Sequence, residues 1–328
     1  MSKERNYKID NIRGITILLV MFGHSIIIYS SNWSLYESSI QVPVLDCAKQ
    51  IINLIQMPVF FSLSGFLFLN TLKKNSSIKS ILWMKVKRLL IPFLVFSFFW
   101  LLPIRLIINY PGYSGKSIID IMWKEIILGY DNGHMWYLPT LLLCFILSIL
   151  LYRYVFLSVC EKKRPIVMGG FSLIIYAIGI LIVLPPYIKN VCLWYWWFVF
   201  GLLIKEFEHI LEEISLVIKI ILLVLTVVVT VMVIENNNIV FQFLGSICWG
   251  GTFYICIQNK KNHLLNKLSE YSFGMYLLHS PLVYITYTYM NDSFPLLIVV
   301  INFCVYGMIC FVMTGLIKKS KVKCIIGE

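Results

Sequence analysis

Two ionisable residues in the first apolar stretch have types and a spacing suited to chemistry. Arg13 and His24 stand eleven residues apart. On an α-helix, eleven steps of about 100° leave the two side chains roughly 20° apart around the axis, and eleven rises of 1.5 Å separate them by about 16 Å. Ionisable groups inside a membrane are expensive, which makes both functional candidates. A guanidinium at the mouth of a span suits phosphate, and a neutral imidazole about half-way down suits proton transfer. An elongated ligand with phosphates at one end and a reactive group at the other fits that spacing, and the pantetheine arm of coenzyme A is such a ligand. Taken singly, each residue has a plainer role. Arg13 would reach lipid headgroups, and His24 would bond a neighbouring helix. A second intramembrane histidine, His279, falls about eight residues into a late apolar stretch, where a bond to Ser280 or to a backbone carbonyl accounts for it equally well.

These residues need apolar elements to hold them, and the composition supplies little else. Of 328 residues, 59% are hydrophobic and 13% charged, and the mean hydropathy is +0.82. A soluble domain carries about a quarter charged residues, so this chain calls for a bilayer as its solvent. Ten apolar stretches follow one another: Ile12–Tyr29, Cys47–Asn70, Leu89–Ile108, Trp136–Phe156, Ile166–Leu184, Val191–Ile204, Ile214–Ile234, Ile239–Gln258, Tyr271–Met290 and Pro295–Ile317. The sixth is short for a span and would begin nearer Tyr187, with Trp194, Tyr195, Trp196 and Trp197 as an interfacial belt. No cleaved leader is expected, because no small-x-small site follows the first stretch and His24 lies inside it.

The net charge of +12 is distributed in alternate loops. With the N-terminus in the cytoplasm, 23 of the 28 Lys and Arg fall on the inner side, leaving Lys49, Arg105, Lys116, Lys124 and Lys189 outside. That asymmetry predicts both termini in the cytoplasm and the 109–135 loop outside, and it argues against a nucleic-acid partner. The expected fold class is an all-α integral membrane protein, a bundle of about ten transmembrane helices forming one domain over residues 1–328. The nine cysteines form no CxxC pair and read as small buried hydrophobes, so neither a disulfide framework nor a metal site is expected.

Four ordered segments carry a family resemblance. Asp10-Asn11-Ile12-Arg13-Gly14 with His24 ten residues later, Phe60-Phe61-Ser62-Leu63-Ser64-Gly65-Phe66, His134-Met135-Trp136-Tyr137-Leu138, and Ser272-Phe273-Gly274-Met275-Tyr276-Leu277-Leu278-His279-Ser280-Pro281 resemble the acyltransferase-3 family of membrane acyltransferases. One position departs from it. The family's RxxR pair appears as Lys85-Val86-Lys87-Arg88, which weakens bidentate phosphate binding at Lys85. The resemblance implies transfer of an acyl group, usually acetyl from acetyl-CoA, to a hydroxyl of a saccharide or other cell-envelope molecule. For such a transfer His24, as a neutral imidazole, is the expected catalytic residue. Arg13, Lys85, Arg88, Ser62 and Ser64 become the donor-binding set, Lys87 being a further cation beside it. His134, Trp136, Tyr137 and His279 are placed with the acceptor. Helix packing at Ser62 and Ser64, and ordinary inner-side charge at Lys85, Lys87 and Arg88, are the plainer readings.

The expected protein is thus a multi-pass O-acetyltransferase of the cytoplasmic membrane, using acetyl-CoA as co-substrate and no metal. His24 would act either as a base toward the acceptor hydroxyl or as an acyl carrier. The competing reading is a proton-coupled transporter or flippase of a saccharide or lipid-linked precursor, with His24 and His279 as relays. A carrier has no need of the Arg13–His24 spacing, and the chain shows no paired half-repeats. The residues do not select among a polysaccharide repeat, a lipid-linked sugar, peptidoglycan and an amino acid as acceptor.

Overall fold

The computed structural model describes residues 5–327 except Asn32, Glu37, Ser39, Asn75, Ser76 and Asn237. Lys3, one of the basic residues placed on the inner side, lies outside this set. The described residues form helices joined by turns and loops and contain no strand. Ten long helices follow in order: α1 Tyr7–Ser25, α2 Pro43–Lys73, α3 Ile78–Ile107, α4 Gly133–Ser158, α5 Arg164–Leu181, α6 Pro186–Glu206, α7 Leu216–Asn236, α8 Ile239–Cys256, α9 His263–Met290 and α10 Pro295–Lys319. Eight of them, all but α1 and α9, are long and apolar enough to cross a membrane. The two exceptions carry the polar groups that interest the chemistry, including Asp10, Arg13 and His24 on α1 and Glu270 and His279 on α9.

Several helices begin earlier than their apolar stretches suggest, because polar caps and good helix formers extend them. Helix α1 starts at Tyr7 behind Asn6, whose side chain accepts from the Ile9 amide at 3.2 Å. Helix α3 starts at Ile78, so Lys85, Lys87 and Arg88 sit on a helix and not in a loop ending at Arg88. Lysine and arginine are nearly as good helix formers as leucine, and the apolar residues between them supply a face to bury. Helix α9 starts at His263, capped by Asn262 accepting from the Leu265 amide at 3.1 Å. His279 therefore lies sixteen residues, about 24 Å, beyond the helix start. Helix α6 starts at Pro186, which puts Trp194–Trp197 in mid-helix. Tyr195, Trp196 and Trp197 are buried and form no belt at a helix end. The nine cysteines are all free, but Cys160, Cys304 and Cys324 are exposed, unlike the buried hydrophobes expected of them.

The chain divides into two compact units. The first comprises Met1–Phe60 and Glu208–Gly315. Here α1 packs along α9, and α7 packs along α8. The α1–α9 approach is close at Gly14, where a Cβ would stand 2.6 Å from the Leu265 carbonyl oxygen. Thr226 and Thr252 join α7 to α8 through hydroxyls 3.0 Å apart.

The second unit comprises Phe61–Phe207 and Leu316–Glu328. Helix α4 packs on α3 and α6, and α5 pairs with α6. Gly65 of α2 and Gly201 of α6 sit where the two backbones meet. A Cβ on Gly65 would overlap the Phe198 carbonyl, and one on Gly201 would overlap the Ser62 carbonyl. Small residues allow membrane helices to approach this closely.

Candidate active site

The first unit brings the two intramembrane histidines into direct contact. His24 is the penultimate residue of α1 and half-buried, while His279 on α9 is 1% exposed. Their rings lie 4.9 Å apart between centroids at an angle of 62°, and His279 Nε2 is 3.1 Å from His24 Nδ1. His279 Nδ1 is in turn 2.9 Å from the Tyr276 carbonyl oxygen and 3.1 Å from that of Met275.

This network assigns the protons. Carbonyl oxygens only accept, so His279 Nδ1 must carry a hydrogen, and in the neutral ring Nε2 then holds the lone pair. His24 Nδ1, facing that lone pair and the Val20 carbonyl oxygen at 2.9 Å, must also be an N–H. The lone pair of neutral His24 is therefore on Nε2. A proton taken up there would make His24 Nδ1–H a charge-assisted donor to His279. It would also sit in the last turn of α1, where the helix dipole favours a cation. The Tyr287 hydroxyl donates to the His24 carbonyl at 2.6 Å and ties the end of α1 to α9.

Arg13 is half-buried on the same helix. Because α1 is unbroken from Tyr7 to Ser25, the eleven-residue interval keeps its shared face and its length of about 16 Å. His24 is nonetheless not half-way along the span. Helix α1 ends one residue later and gives way to the 3₁₀ turn Ile27–Tyr29, so the imidazole stands at the far end from Tyr7.

The other sequence-predicted residues belong to the second unit. Ser62 is buried against α6, and Ser64 Oγ lies 3.4 Å from the Tyr137 hydroxyl. The Lys85 ammonium is held over the Phe145 ring at 3.8 Å and the Phe68 ring at 4.9 Å, a cation–π arrangement. Lys87 lies over Trp83 at 4.9 Å, and Arg88 is exposed. Trp136 and Tyr137 join an aromatic cluster. Trp194 stacks on Phe61 at 5.2 Å and faces Trp136 at 5.4 Å, and Tyr137 meets the edge of Phe61 at 4.9 Å. His134 is buried next to Gly133.

Sequence reasoning missed two features that fix these groups. Arg105, assigned only to the outer charge count, is fully buried. Its Nη1 donates to the Tyr113 hydroxyl at 3.0 Å and to Asp131 at 3.0 Å on the carbonyl and 3.1 Å on Oδ1. Tyr110 covers the guanidinium at 3.9 Å, and burial pushes the Tyr113 phenol up. The arginine thus anchors the 109–135 segment that presents His134. Lys49, likewise counted as an outer loop charge, is buried on α2 in the first unit. Its position two residues inside an apolar stretch was the available signal. Among the described residues, no group of three His, Cys, Asp or Glu is placed to hold a metal ion.

An all-helical, multi-pass membrane protein with two polar-rich helices and a bonded histidine pair is the class these observations define. The chain belongs to the acyltransferase-3 family, whose acyltransferase-domain sequence model matches residues 6–316. It is accordingly a membrane acyltransferase. No curated protein and no solved structure matches it.

Proposed function

We propose that the protein transfers an acetyl group from acetyl-CoA to a hydroxyl of a saccharide or other cell-envelope acceptor, with His24 as the general base. The observation that carries this reading is the hydrogen bond between His24 Nδ1 and His279 Nε2. It leaves the His24 lone pair on Nε2 and supplies an acceptor for the charge that proton uptake creates. In the proposed step, Nε2 removes the acceptor's hydroxyl proton while that oxygen attacks the thioester carbonyl carbon. The carbonyl electron pair moves onto its oxygen. Collapse reforms the carbonyl, breaks the C–S bond and returns the proton from Nε2 to the departing thiolate, so that His24 ends neutral.

His279 acts as a positioning residue, anchored by two backbone carbonyls and holding the His24 ring in one tautomer. Arg13, about 16 Å away on the same face, is proposed to pair with donor phosphate at the length of the pantetheine arm. Lys85, Arg88, Ser62 and Ser64 remain proposed donor contacts, with Lys85 needing to leave its aromatic rings to reach a phosphate. His134, Trp136 and Tyr137 remain proposed acceptor contacts, the aromatic cluster offering a ring for a sugar to stack on. Ten spans, cytoplasmic termini and a place in the cytoplasmic membrane complete the reading. The 23 to 5 division of basic residues supports it. Family membership gives no support to a carrier.

Incubation of the purified full chain with labelled acetyl-CoA, alone and with envelope extract, tests the proposal. Label on a carbohydrate is expected. Label recovered only as unreacted donor contradicts it.

A further inference from the structure

Gly23, the residue before His24, leaves a notch in α1 that two polar side chains of α2 fill. A Cβ there would stand 2.9 Å from Ile52 Cγ2, 3.0 Å from Gln56 Oε1 and 3.4 Å from Lys49 Nζ. Lys49, Asn53 and Gln56 follow one another at i, i+4 and i+7 and so share a face of α2. Asn53 Oδ1 accepts from Lys49 Nζ at 2.8 Å and from Gln56 Nε2 at 3.0 Å. Lys49 is 4% exposed. An ammonium has three N–H donors. Among the described residues Lys49 uses one and makes no ion pair. Gln56 Oε1 is buried with no hydrogen-bond partner among the described residues. Asn53 is exposed, so the notch opens to the surface past a polar group and not past an aliphatic one.

A buried ammonium without a counter-ion is costly and would be replaced at little loss by an apolar residue of its size unless it meets a negative charge at some stage. The reaction proposed above creates such a charge beside His24, on the carbonyl oxygen of the acyl group under attack. We infer that Lys49 is a catalytic residue whose ammonium stabilises this oxyanion, with Asn53 and Gln56 holding it in the Gly23 notch. The inference rests on the acyl-transfer reading and names its charge-stabilising group. As the acceptor oxygen bonds to the carbonyl carbon, the C=O π pair becomes a lone pair on oxygen, and a Lys49 N–H donates to it. As the C–S bond breaks, that pair returns to the C=O bond and the ammonium is unchanged. A donor held in place by Asn53 performs this work without rearranging.

The test uses the purified full chain, the variants Lys49→Met and Lys49→Arg, and two acyl donors with water as acceptor, acetyl-CoA and p-nitrophenyl acetate. An oxyanion forms with either donor, so the ester reads Lys49 whether or not coenzyme A is the natural carrier. Lys49→Met is expected to lower kcat by about 100- to 1000-fold on whichever donor the parent hydrolyses, with the Kd for coenzyme A and the unfolding midpoint close to the parent's. Lys49→Arg keeps the charge and should recover part of the rate. A parent that hydrolyses the ester but passes no label from acetyl-CoA to envelope extract would end the coenzyme reading and leave this inference standing. Parental kcat per folded protein in Lys49→Met, or a loss confined to the amount of folded protein, would overturn the inference.

Discussion

His24 and His279 are 255 residues apart in sequence and 3.1 Å apart in space. Each was individually legible as an ionisable group in an apolar stretch, but their pairing was not. It depends on how α1 and α9 align, and that alignment depends on the Gly14 approach and the Tyr287 bond, neither of which has a periodic signature. The backbone-carbonyl anchor of His279 is the plainer role the sequence offered, and the structure adds the bond to His24. If His279 positions His24, then His279→Leu, which removes the acceptor for Nδ1–H, should lower kcat about 10- to 100-fold. This is the worth of a hydrogen bond to a charged group, roughly 1.5–3 kcal/mol. His279→Gln offers an amide oxygen in its place and should restore much of the rate, with the KM for acetyl-CoA little changed in both. Equal losses in Leu and Gln variants would reduce His279 to packing.

At the scale of elements, the apolar stretches located all ten long helices but misplaced several of their starts. Hydropathy falls where charged residues enter, whereas helix formation continues through lysine and arginine until a cap intervenes, as at Asn6 before α1 and Asn262 before α9. The consequence for the site is clearest on α1, whose continuity makes Arg13 and His24 a ruler. Arg13→Ala should weaken acetyl-CoA binding roughly ten- to a hundredfold, from loss of a contact worth about 1.5–3 kcal/mol. Arg13→Lys should regain only part, lacking the planar fork. Calorimetric Kd values equal to the parent's in both variants would leave Arg13 as a headgroup anchor. The α2–α6 crossing gives an element-scale prediction of another kind. A methyl at Gly65 meets backbone and has no flexible side chain to displace, so Gly65→Ala should cost about 1–3 kcal/mol of stability and lower the unfolding midpoint in detergent. An unchanged midpoint would show that the helices part without penalty.

At the scale of the whole molecule, composition alone defined an all-helical membrane protein. Lys49 and Arg105 both fall inside the ends of apolar stretches, which is the signal for their burial, but charge counting assigned them to the solvated outer side, and the partners that hold them have no signature in that count. The same counting predicts an orientation that labelling can check. A cysteine at Ser114, in the 109–135 segment, should react with a membrane-impermeant maleimide in intact cells. Native Cys160, exposed between α4 and α5, should react only after permeabilisation. The reverse pattern would invert the topology and move the donor site to the other face.

In the proposed acyl transfer it is His24 Nε2 that moves the proton. The most direct measurement is turnover of labelled acetyl-CoA by His24→Ala, normalised to folded protein, alongside its Kd for the donor. A positioned general base contributes about 10²–10⁴-fold, so kcat should fall by that factor while Kd stays near the parent's. A His24→Ala protein that turns over acetyl-CoA at the parental rate would contradict the account.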